Sequence, residues 1–190
     1  MTPLWHDGAV SALRYAGTPV VWRVADDRST PRHAHASALL AHCADVPADT
    51  VRLARSAAGA PRVLSPPGWY IGFAGRGGWS LVGAATRPIA VDRETVDGAA
   101  PLWDMLSATE VAALRALDSA EQPRAWLRRW TIKEAHAKLI GEPRRLAPET
   151  IETQLLDPVR ATATCEGRSH CWTRDTGKAI DTVALWEDDA

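Results

Sequence analysis

Short apolar runs separated by turn residues dominate the chain, and they predict strands. Runs of this kind, rich in Val, Ile, Trp and Tyr, lie at residues 20–24, 51–55, 69–73, 79–85, 89–94, 169–173 and 180–186. Gly59-Ala60-Pro61 and Ser65-Pro66-Pro67-Gly68 predict turns between them, and Gly75-Arg76-Gly77-Gly78 predicts a tight loop.

Three longer stretches predict helices. Residues 32–42 are rich in Ala and Leu and follow a segment of capping residues that ends in Pro31. Ser107, three positions before Glu110, predicts a capping box that opens a second helix. A third begins at Gln122-Pro123 and is stopped by Gly141 and Pro143. Strands and helices without regular β-α-β alternation predict an α+β fold.

The composition narrows the function classes. The chain has 190 residues, enough for one domain or two small halves, and a formal net charge of −1. This charge gives no general basic field, so we expect no nucleic-acid partner. No apolar run approaches the roughly 20 residues that span a bilayer, so we expect no membrane partner.

The cellular location follows from two further features. The first residues contain neither the basic region nor the apolar region of a signal peptide. Cys43, Cys165 and Cys171 have no metal-ligand spacing, which is typical of reduced thiols. We therefore expect a cytoplasmic protein.

The helix around residues 129–141 places charges as a functional site would. Glu134 and Lys138 are four positions apart, so they share one face, and Trp126 and Trp130 continue the same row. An aromatic row thus leads to a carboxylate and an ammonium group. The alternative is an ordinary solvated helix face, because this spacing is common on surface helices.

The strand at residues 89–94 places two carboxylates side by side. Asp92 and Glu94 share one face, while Ile89 and Val91 point into the core. Neighbouring carboxylates repel each other unless a cation lies between them. Oxygen ligands of this kind suit Mg²⁺, which takes phosphate oxygens and waters as its remaining ligands. The alternative is a solvated strand end with two acids.

Both motifs resemble those of one enzyme family. The stretch from Trp130 to Lys138 resembles the W-(S/T)-x-K-E-(A/S)-x-x-K signature of the Sfp-type 4′-phosphopantetheinyl transferases. Residues 90–94 are similar to the family's Gly-hydrophobic-Asp-hydrophobic-Glu motif, with Ala90 and Arg93 as departures. Residues 106–110 are similar to its L-S-x-x-E helix start, and residues 51–61 to its I-R-F…G-K-P segment.

The resemblance implies a fold and an activity. It implies two similar α/β halves packed pseudo-symmetrically, with residues 1–88 on the coenzyme A side and residues 89–190 carrying the metal and catalytic motifs. It also implies Mg²⁺-dependent transfer of the 4′-phosphopantetheine arm of coenzyme A to a serine of an acyl or peptidyl carrier protein, with release of 3′,5′-ADP. Such carriers serve fatty acid, polyketide or nonribosomal peptide synthesis, and the two fused halves favour a monomer.

The resemblance also assigns roles to individual residues. The metal ligands it implies are Asp92, Glu94 and Glu134, and the catalytic residues are Glu134 and Lys138. Contacts with coenzyme A are expected from Arg32, Arg62, Arg76, Lys133 and Lys138. Contacts with an acidic carrier are expected from basic residues, unless these form a plain solvated face: Arg124, Arg128, Arg129, Arg144 and Arg145.

Departures from the family pattern concentrate in the first half. Ala60 stands where the family has a lysine, residues 71–76 contain neither the serine nor the histidine of the corresponding segment, and the front end is short. Arg62 or Arg76 could replace the lost charges. Arg76 lies in a glycine loop, which predicts either a phosphate cradle or a simple hairpin turn.

Two alternatives follow from these departures. One is a degenerate, non-catalytic homologue that binds carrier protein or nucleotide. The other is an unrelated Mg²⁺-dependent phosphotransfer enzyme, which the sequence disfavours because it contains no P-loop or kinase motif.

Overall fold

A computed structural model describes residues 1–27, 30–141 and 145–187. Within these ranges the chain forms eleven strands and three α-helices. The strands are β1 (Leu4–Asp7), β2 (Val20–Ala25), β3 (Arg52–Arg55), β4 (Pro61–Ser65), β5 (Tyr70–Arg76), β6 (Trp79–Ala85), β7 (Ile89–Thr95), β8 (Glu152–Leu155), β9 (Arg160–Thr164), β10 (Arg168–Asp175) and β11 (Ala179–Trp186). The helices are α1 (Arg32–Ala44), α2 (Ala108–Arg115) and α3 (Gln122–Ile140).

The strands form two larger sheets and one hairpin. The first sheet has the order β1-β2-β6-β5, in which β1 runs parallel to β2 and the other pairs are antiparallel. The second sheet is antiparallel and has the order β7-β11-β10-β9-β8, whereas β3 and β4 form the hairpin. The chain passes from the first sheet to the second between Ala85 and Ile89.

Side-chain alternation in the strands builds four layers. Val20 and Val82 pack with Leu39 and Leu40 of α1 on one face of the first sheet. Val21, Leu81, Val91 and Val183 form the core between the two sheets, and α3 covers the outer face of the second sheet. The predicted α+β class is confirmed. Pseudo-symmetry, and the division at residue 88 into two functional halves, stay predictions.

A glycine lets the two sheets approach each other beside the predicted metal ligands. A Cβ atom on Gly72 of β5 would lie 3.1 Å from the Cα of Ala90 and 3.2 Å from the carbonyl oxygen of Ile89, both on β7. Backbone atoms cannot yield as a flexible side chain can, so the absent side chain permits this contact. It brings the first sheet next to the strand that carries Asp92.

The helix boundaries agree with their sequence signals. Ser107 Oγ accepts from the Glu110 N–H and the Glu110 carboxylate accepts from the Ser107 N–H, which confirms the capping box. Gly141 ends α3 in the left-handed conformation at φ 96°. Pro143 lies outside the described residues. Over the part of the chain described here, no helix has the length and apolar character needed to cross a bilayer.

Arg93, a departure from the family motif, has a buried partner. Its Nη1 donates to Asp181, and both side chains are almost fully buried. Arg174 joins them, with Nη2 3.2 Å from the Asp181 carboxylate and Nη1 3.2 Å from Asp7 of β1. An arginine therefore replaces an apolar residue here because an ion-pair network between the two sheets compensates its charge.

Two of the three thiols are expected to resist modification in the folded protein. Burial raises the pKa of both Cys43 and Cys171 to about 12, whereas Cys165 is only half-buried. A thiol reagent at pH 8 should therefore label one cysteine per native chain and all three in denaturant, as counted by intact mass. Rapid labelling of Cys43 or Cys171 without denaturant would contradict this packing.

Candidate functional site

The two sequence motifs meet where α3 packs against β7. Asp92 lies on the face of β7 that is turned toward α3, and Glu134 and Lys138 lie one helical turn apart on α3. Lys138 Nζ lies 2.5 Å from Asp92 Oδ1. Electrostatic coupling extends to Glu94 and Glu134, so Asp92, Glu94 and Glu134 are here called the carboxylate cluster.

Polar anchors on the second sheet hold α3 in this position. Thr182 Oγ1 of β11 donates to Thr131 Oγ1 across 2.8 Å, in the buried layer beneath the helix. His136 is fully buried, with Nδ1 2.8 Å from Ser169 Oγ and Nε2 2.9 Å from the Cys165 carbonyl oxygen. These bonds flank Glu134 along the helix, so they fix the face that it presents to β7.

Burial disfavours the ionised form of every carboxylate in the cluster. It raises the pKa of Asp92, although Lys138 opposes the shift. Burial also raises the pKa of Glu94 and of Glu134, and the Asp92 carboxylate raises both further. Arg76 Nε, 3.3 Å from Glu94 Oε2, acts in the opposite direction on Glu94. The cluster therefore has a surplus of negative charge in a poorly solvated place.

The donor chemistry of the cluster fits a hard divalent cation. Its donors are carboxylate oxygens, and Asp92 Oδ2 is buried without a hydrogen-bond partner among the described residues. However, no group of three or more His, Cys, Asp or Glu within residues 1–27, 30–141 and 145–187 is arranged as a metal site. Instead, Lys138 forms an ion pair with Asp92, and Arg76 forms one with Glu94. A divalent cation would have to compete with these two side chains.

A cleft of about 1160 Å³ opens beside the cluster. Its walls come from the start of α1, the loop between β3 and β4, the middle of β5, the start of β7 and the end of α3. The cationic or titratable side chains among the described lining residues are Arg32, His33, Arg55, Lys138 and Arg145, and none of those lining residues is acidic. A large cleft with one sign of charge favours an extended anionic ligand.

One residue belongs to both the cleft and the cluster. Lys138 lines the cleft while its ammonium group is paired with Asp92, and its side chain is 31 % exposed. A ligand in the cleft can therefore reach the side chain that contacts the buried carboxylate.

Arg32 lines the cleft, as a residue expected to contact coenzyme A should. Its guanidinium lies over Gly75 of β5, where a Cβ atom would clash with it, and its Nη2 is 3.7 Å from Asp26. Gly75 therefore leaves the space that this arginine occupies.

Arg62 and Arg76 lie elsewhere. Arg62 is exposed on β4, and neither residue is among the described residues that line the cleft. Arg76 ends β5 and pairs with Glu94, while Gly77 and Gly78 turn the chain into β6 with positive φ angles. The hairpin-turn interpretation of this glycine loop is confirmed.

Arg55 is a charged cleft residue that the sequence did not predict. It ends β3, and its Nη1 donates to the Gly59 carbonyl oxygen across 2.9 Å, which ties its guanidinium to the loop before β4. Its position next to the Gly59-Ala60-Pro61 segment, which lacks the family's lysine, is the signal that could have identified it.

Lys133 requires a correction, because the prediction that it contacts coenzyme A conflicts with its position. Its side chain is 1 % exposed, and Nζ lies 2.7 Å from Glu110 Oε2. Nζ also donates to the carbonyl oxygens of Pro148 and Ile151, across 2.9 and 2.5 Å. An ammonium group has three donors and all three are used in the interior, so Lys133 holds α3 to α2 and to the segment before β8.

The basic residues expected to contact a carrier protein have mainly intramolecular roles. Arg128 donates to Thr173 and to the Asp157 carbonyl oxygen, and Arg129 is buried and donates to Thr153. Arg124 pairs with Asp175, whereas Arg145 lines the cleft and binds Glu166. Arg144 lies outside the described residues. Arg129 is therefore corrected to a structural role because it is buried, whereas carrier contacts by Arg124, Arg128 and Arg145 stay predictions.

Comparison with known proteins identifies the family. The family model of the 4′-phosphopantetheinyl transferase superfamily matches residues 88–185, just over half of the chain. The matched segment contains Asp92, Glu94, Glu134 and Lys138. No curated protein matches the chain. The match and the joined motifs lead to one conclusion: this chain belongs to the 4′-phosphopantetheinyl transferase superfamily.

Proposed function

We propose that this protein transfers the 4′-phosphopantetheine arm of coenzyme A to a serine of an acyl or peptidyl carrier protein, with Mg²⁺ as the metal. The observation that carries the proposal is the position of Lys138, which lines the cationic cleft and contacts the carboxylate cluster. The cleft, whose positive charge suits a polyanion, therefore lies next to the carboxylates and the lysine that phosphopantetheine transfer requires. The transferase would be of the Sfp type and a cytoplasmic monomer. Residues 1–88 would form its coenzyme A side, and residues 89–190 would carry its metal-binding and catalytic groups.

The cleft supplies charge for the phosphates of coenzyme A. Arg32 and Arg55 come from the first half, and Lys138 and Arg145 from the second. Coenzyme A carries a pyrophosphate and a separate ribose phosphate, so cations on both walls suit it better than a single cluster would. Arginine also binds phosphate through two parallel hydrogen bonds, which fixes orientation as well as charge.

The transfer needs a proton acceptor and charge neutralisation. The carrier serine Oγ bonds to the phosphorus that bears the pantetheine arm, the bond from that phosphorus to the bridging oxygen breaks, and 3′,5′-ADP leaves. Glu134 accepts the serine proton, directly or through a water molecule. Lys138 donates to a phosphate oxygen and stabilises the developing negative charge. Mg²⁺ held by Asp92, Glu94 and Glu134 would neutralise charge on the pyrophosphate.

Arg55→Gln is expected to weaken coenzyme A binding. Losing one charged hydrogen-bond donor to a phosphate should lower the affinity by roughly 10-fold to 100-fold. Calorimetric titration of coenzyme A measures this, with Arg62→Gln as the matched control, because Arg62 is exposed on the same hairpin and is not among the described cleft residues. Equal affinities for the two variants would remove Arg55 from the proposed site.

Intact mass of a carrier protein tests the proposed activity. Apo carriers of fatty acid, polyketide and peptide synthesis are incubated with this protein, coenzyme A and Mg²⁺. The proposal predicts that at least one carrier gains the mass of one phosphopantetheine group, and that a chelator prevents the gain. Coenzyme A binding without any gain, for a folded protein and every carrier, would favour the non-catalytic homologue instead.

A further inference from the structure

A lysine contacts one of the carboxylates that are expected to bind the metal ion. Lys138 Nζ contacts Asp92 Oδ1 at 2.5 Å, while the other oxygen, Oδ2, is buried and has no hydrogen-bond partner in the described part of the chain. Asp92 is 5 % exposed, so water does little to solvate its charge. The ammonium group of Lys138 therefore stands in for the cation that this carboxylate requires.

We propose that Lys138 is an internal competitor of the metal, and that coenzyme A removes it. In the free protein Lys138 neutralises Asp92 and disfavours metal binding. When coenzyme A enters the cleft, its phosphates draw the ammonium group away, and both Asp92 oxygens become available to the metal. Metal and coenzyme A thus bind cooperatively through the position of one side chain. This inference rests on the proposed function.

The position of Lys138 permits such a movement. It lies in the last turn of α3, just before Gly141, and its side chain is partly exposed and lines the cleft. Lysine carries a compact charge on a flexible four-carbon stem, so its ammonium group can move between two anions without a backbone change. Lys133 has no such freedom, because its ammonium group is buried and uses all three donors.

Competition between the two cations makes the coupling reciprocal. If the loss of the Lys138–Asp92 pair favours metal binding, then metal binding favours the released ammonium group and hence coenzyme A. Couplings of this kind typically change an affinity by about 5-fold to 150-fold. Without coenzyme A the metal should bind weakly, because it has to displace the Lys138 ammonium group from Asp92.

Arg76 provides a matched comparison. Like Lys138, it is a cation on a carboxylate of the cluster, with Nε 3.3 Å from Glu94 Oε2. Unlike Lys138, it is not among the described residues that line the cleft. Removing Arg76 should reduce general repulsion of the metal, but it should leave the dependence of metal binding on coenzyme A unchanged.

Mn²⁺ titrations followed by electron paramagnetic resonance test the inference on the full chain. Wild type, Lys138→Met and Arg76→Met are titrated with and without coenzyme A, after circular dichroism has established that each variant is folded. Lys138→Met is expected to bind Mn²⁺ about 10-fold or more tightly than wild type without coenzyme A. The factor by which coenzyme A raises the Mn²⁺ affinity should fall at least about 5-fold in Lys138→Met and stay unchanged in Arg76→Met.

The outcomes separate this inference from the proposed function. If coenzyme A and Mn²⁺ both bind but the coupling factor is the same in wild type and Lys138→Met, the competitor role is wrong and the proposed function is unaffected. Unchanged or weaker Mn²⁺ affinity of Lys138→Met without coenzyme A also overturns the competitor role. If coenzyme A does not bind to the wild-type protein at all, the proposed function fails and the coupling fails with it.

Discussion

Glu134→Gln is expected to abolish transfer to the carrier, with a rate loss of at least about 1000-fold. The substitution removes a proton acceptor, whose contribution alone is typically 100-fold to 10,000-fold, and it also removes one anionic metal ligand. The side chain keeps its size, so the fold should be preserved. The measurement is the initial rate of phosphopantetheine transfer, with Glu149→Gln, an exposed change of the same kind, as control.

The same substitution should stabilise the metal-free fold at neutral pH. Burial and the Asp92 carboxylate raise the pKa of Glu134 above its ordinary value, so folding disfavours the ionised form of this side chain. The stability that Glu134 contributes is therefore present below the ordinary pKa of a glutamate and lost as the pH rises through the folded-state pKa. Glutamine does not ionise, so the variant avoids this loss of fold stability. Substitutions at functional sites often stabilise a fold while they reduce activity.

Thermal unfolding in a chelator measures this effect. Glu134→Gln should melt at a higher temperature than wild type at pH 7 to 8, and the difference should shrink toward pH 4. A lower melting temperature at pH 7, or near-wild-type transfer by the variant, would contradict the role assigned to Glu134.

Glu110→Ala is expected to lower the free energy of unfolding by about 3–5 kcal/mol, which is the typical cost of removing one partner of a buried ion pair. Glu110 is 1 % exposed and pairs with Lys133 across 2.7 Å. It also accepts from the backbone N–H groups of Ser107 and Thr153, each across 2.9 Å. Its loss leaves the Lys133 ammonium group buried beside carbonyl oxygens alone.

Urea unfolding followed by circular dichroism measures the effect. Glu187→Gln is the matched control, because it disrupts exposed pairs with Arg168 and His170 and should cost no more than about 1 kcal/mol. The double variant Glu110→Ala with Lys133→Met should recover part of the loss, because it also removes the buried ammonium group that loses its carboxylate, while Arg129, 3.7 Å from Glu110, keeps its bonds to Thr153. If the losses in the free energy of unfolding of the two single variants add up in the double variant, the Glu110–Lys133 pair is not the source of the lost stability.

Local patterns were sufficient where the signal lies in the chain itself. The capping residues Ser107 and Glu110, the stop at Gly141 and the alternation of residues 89–94 predicted α2, the end of α3 and β7. Strands β1, β4, β8 and β9 were not predicted; β4 begins at a proline, and β9 consists of Arg, Ala and Thr with little apolar character. These short strands form through pairing with neighbours rather than through their own composition.

For the site, the sequence predicted only the direction in which each side chain points from its own helix or strand. Helical spacing showed that Lys133 and Lys138 point to different sides, but it could not show that Glu110 lies opposite Lys133. In the same way, Arg55 reaches the cleft because the β3–β4 hairpin packs beside β5, and that arrangement depends on tertiary packing. Local periodicity contains no information about such partners.

A crystal structure with coenzyme A and Mn²⁺, phased to locate the metal by its anomalous signal, tests the central claim most directly. We expect coenzyme A in the cleft between Arg55 and Lys138, and a Mn²⁺ peak in contact with the carboxylates of Asp92, Glu94 and Glu134. We also expect that Lys138 has left Asp92 for a phosphate oxygen. Coenzyme A bound outside this cleft, or Mn²⁺ away from the three carboxylates, would contradict the account.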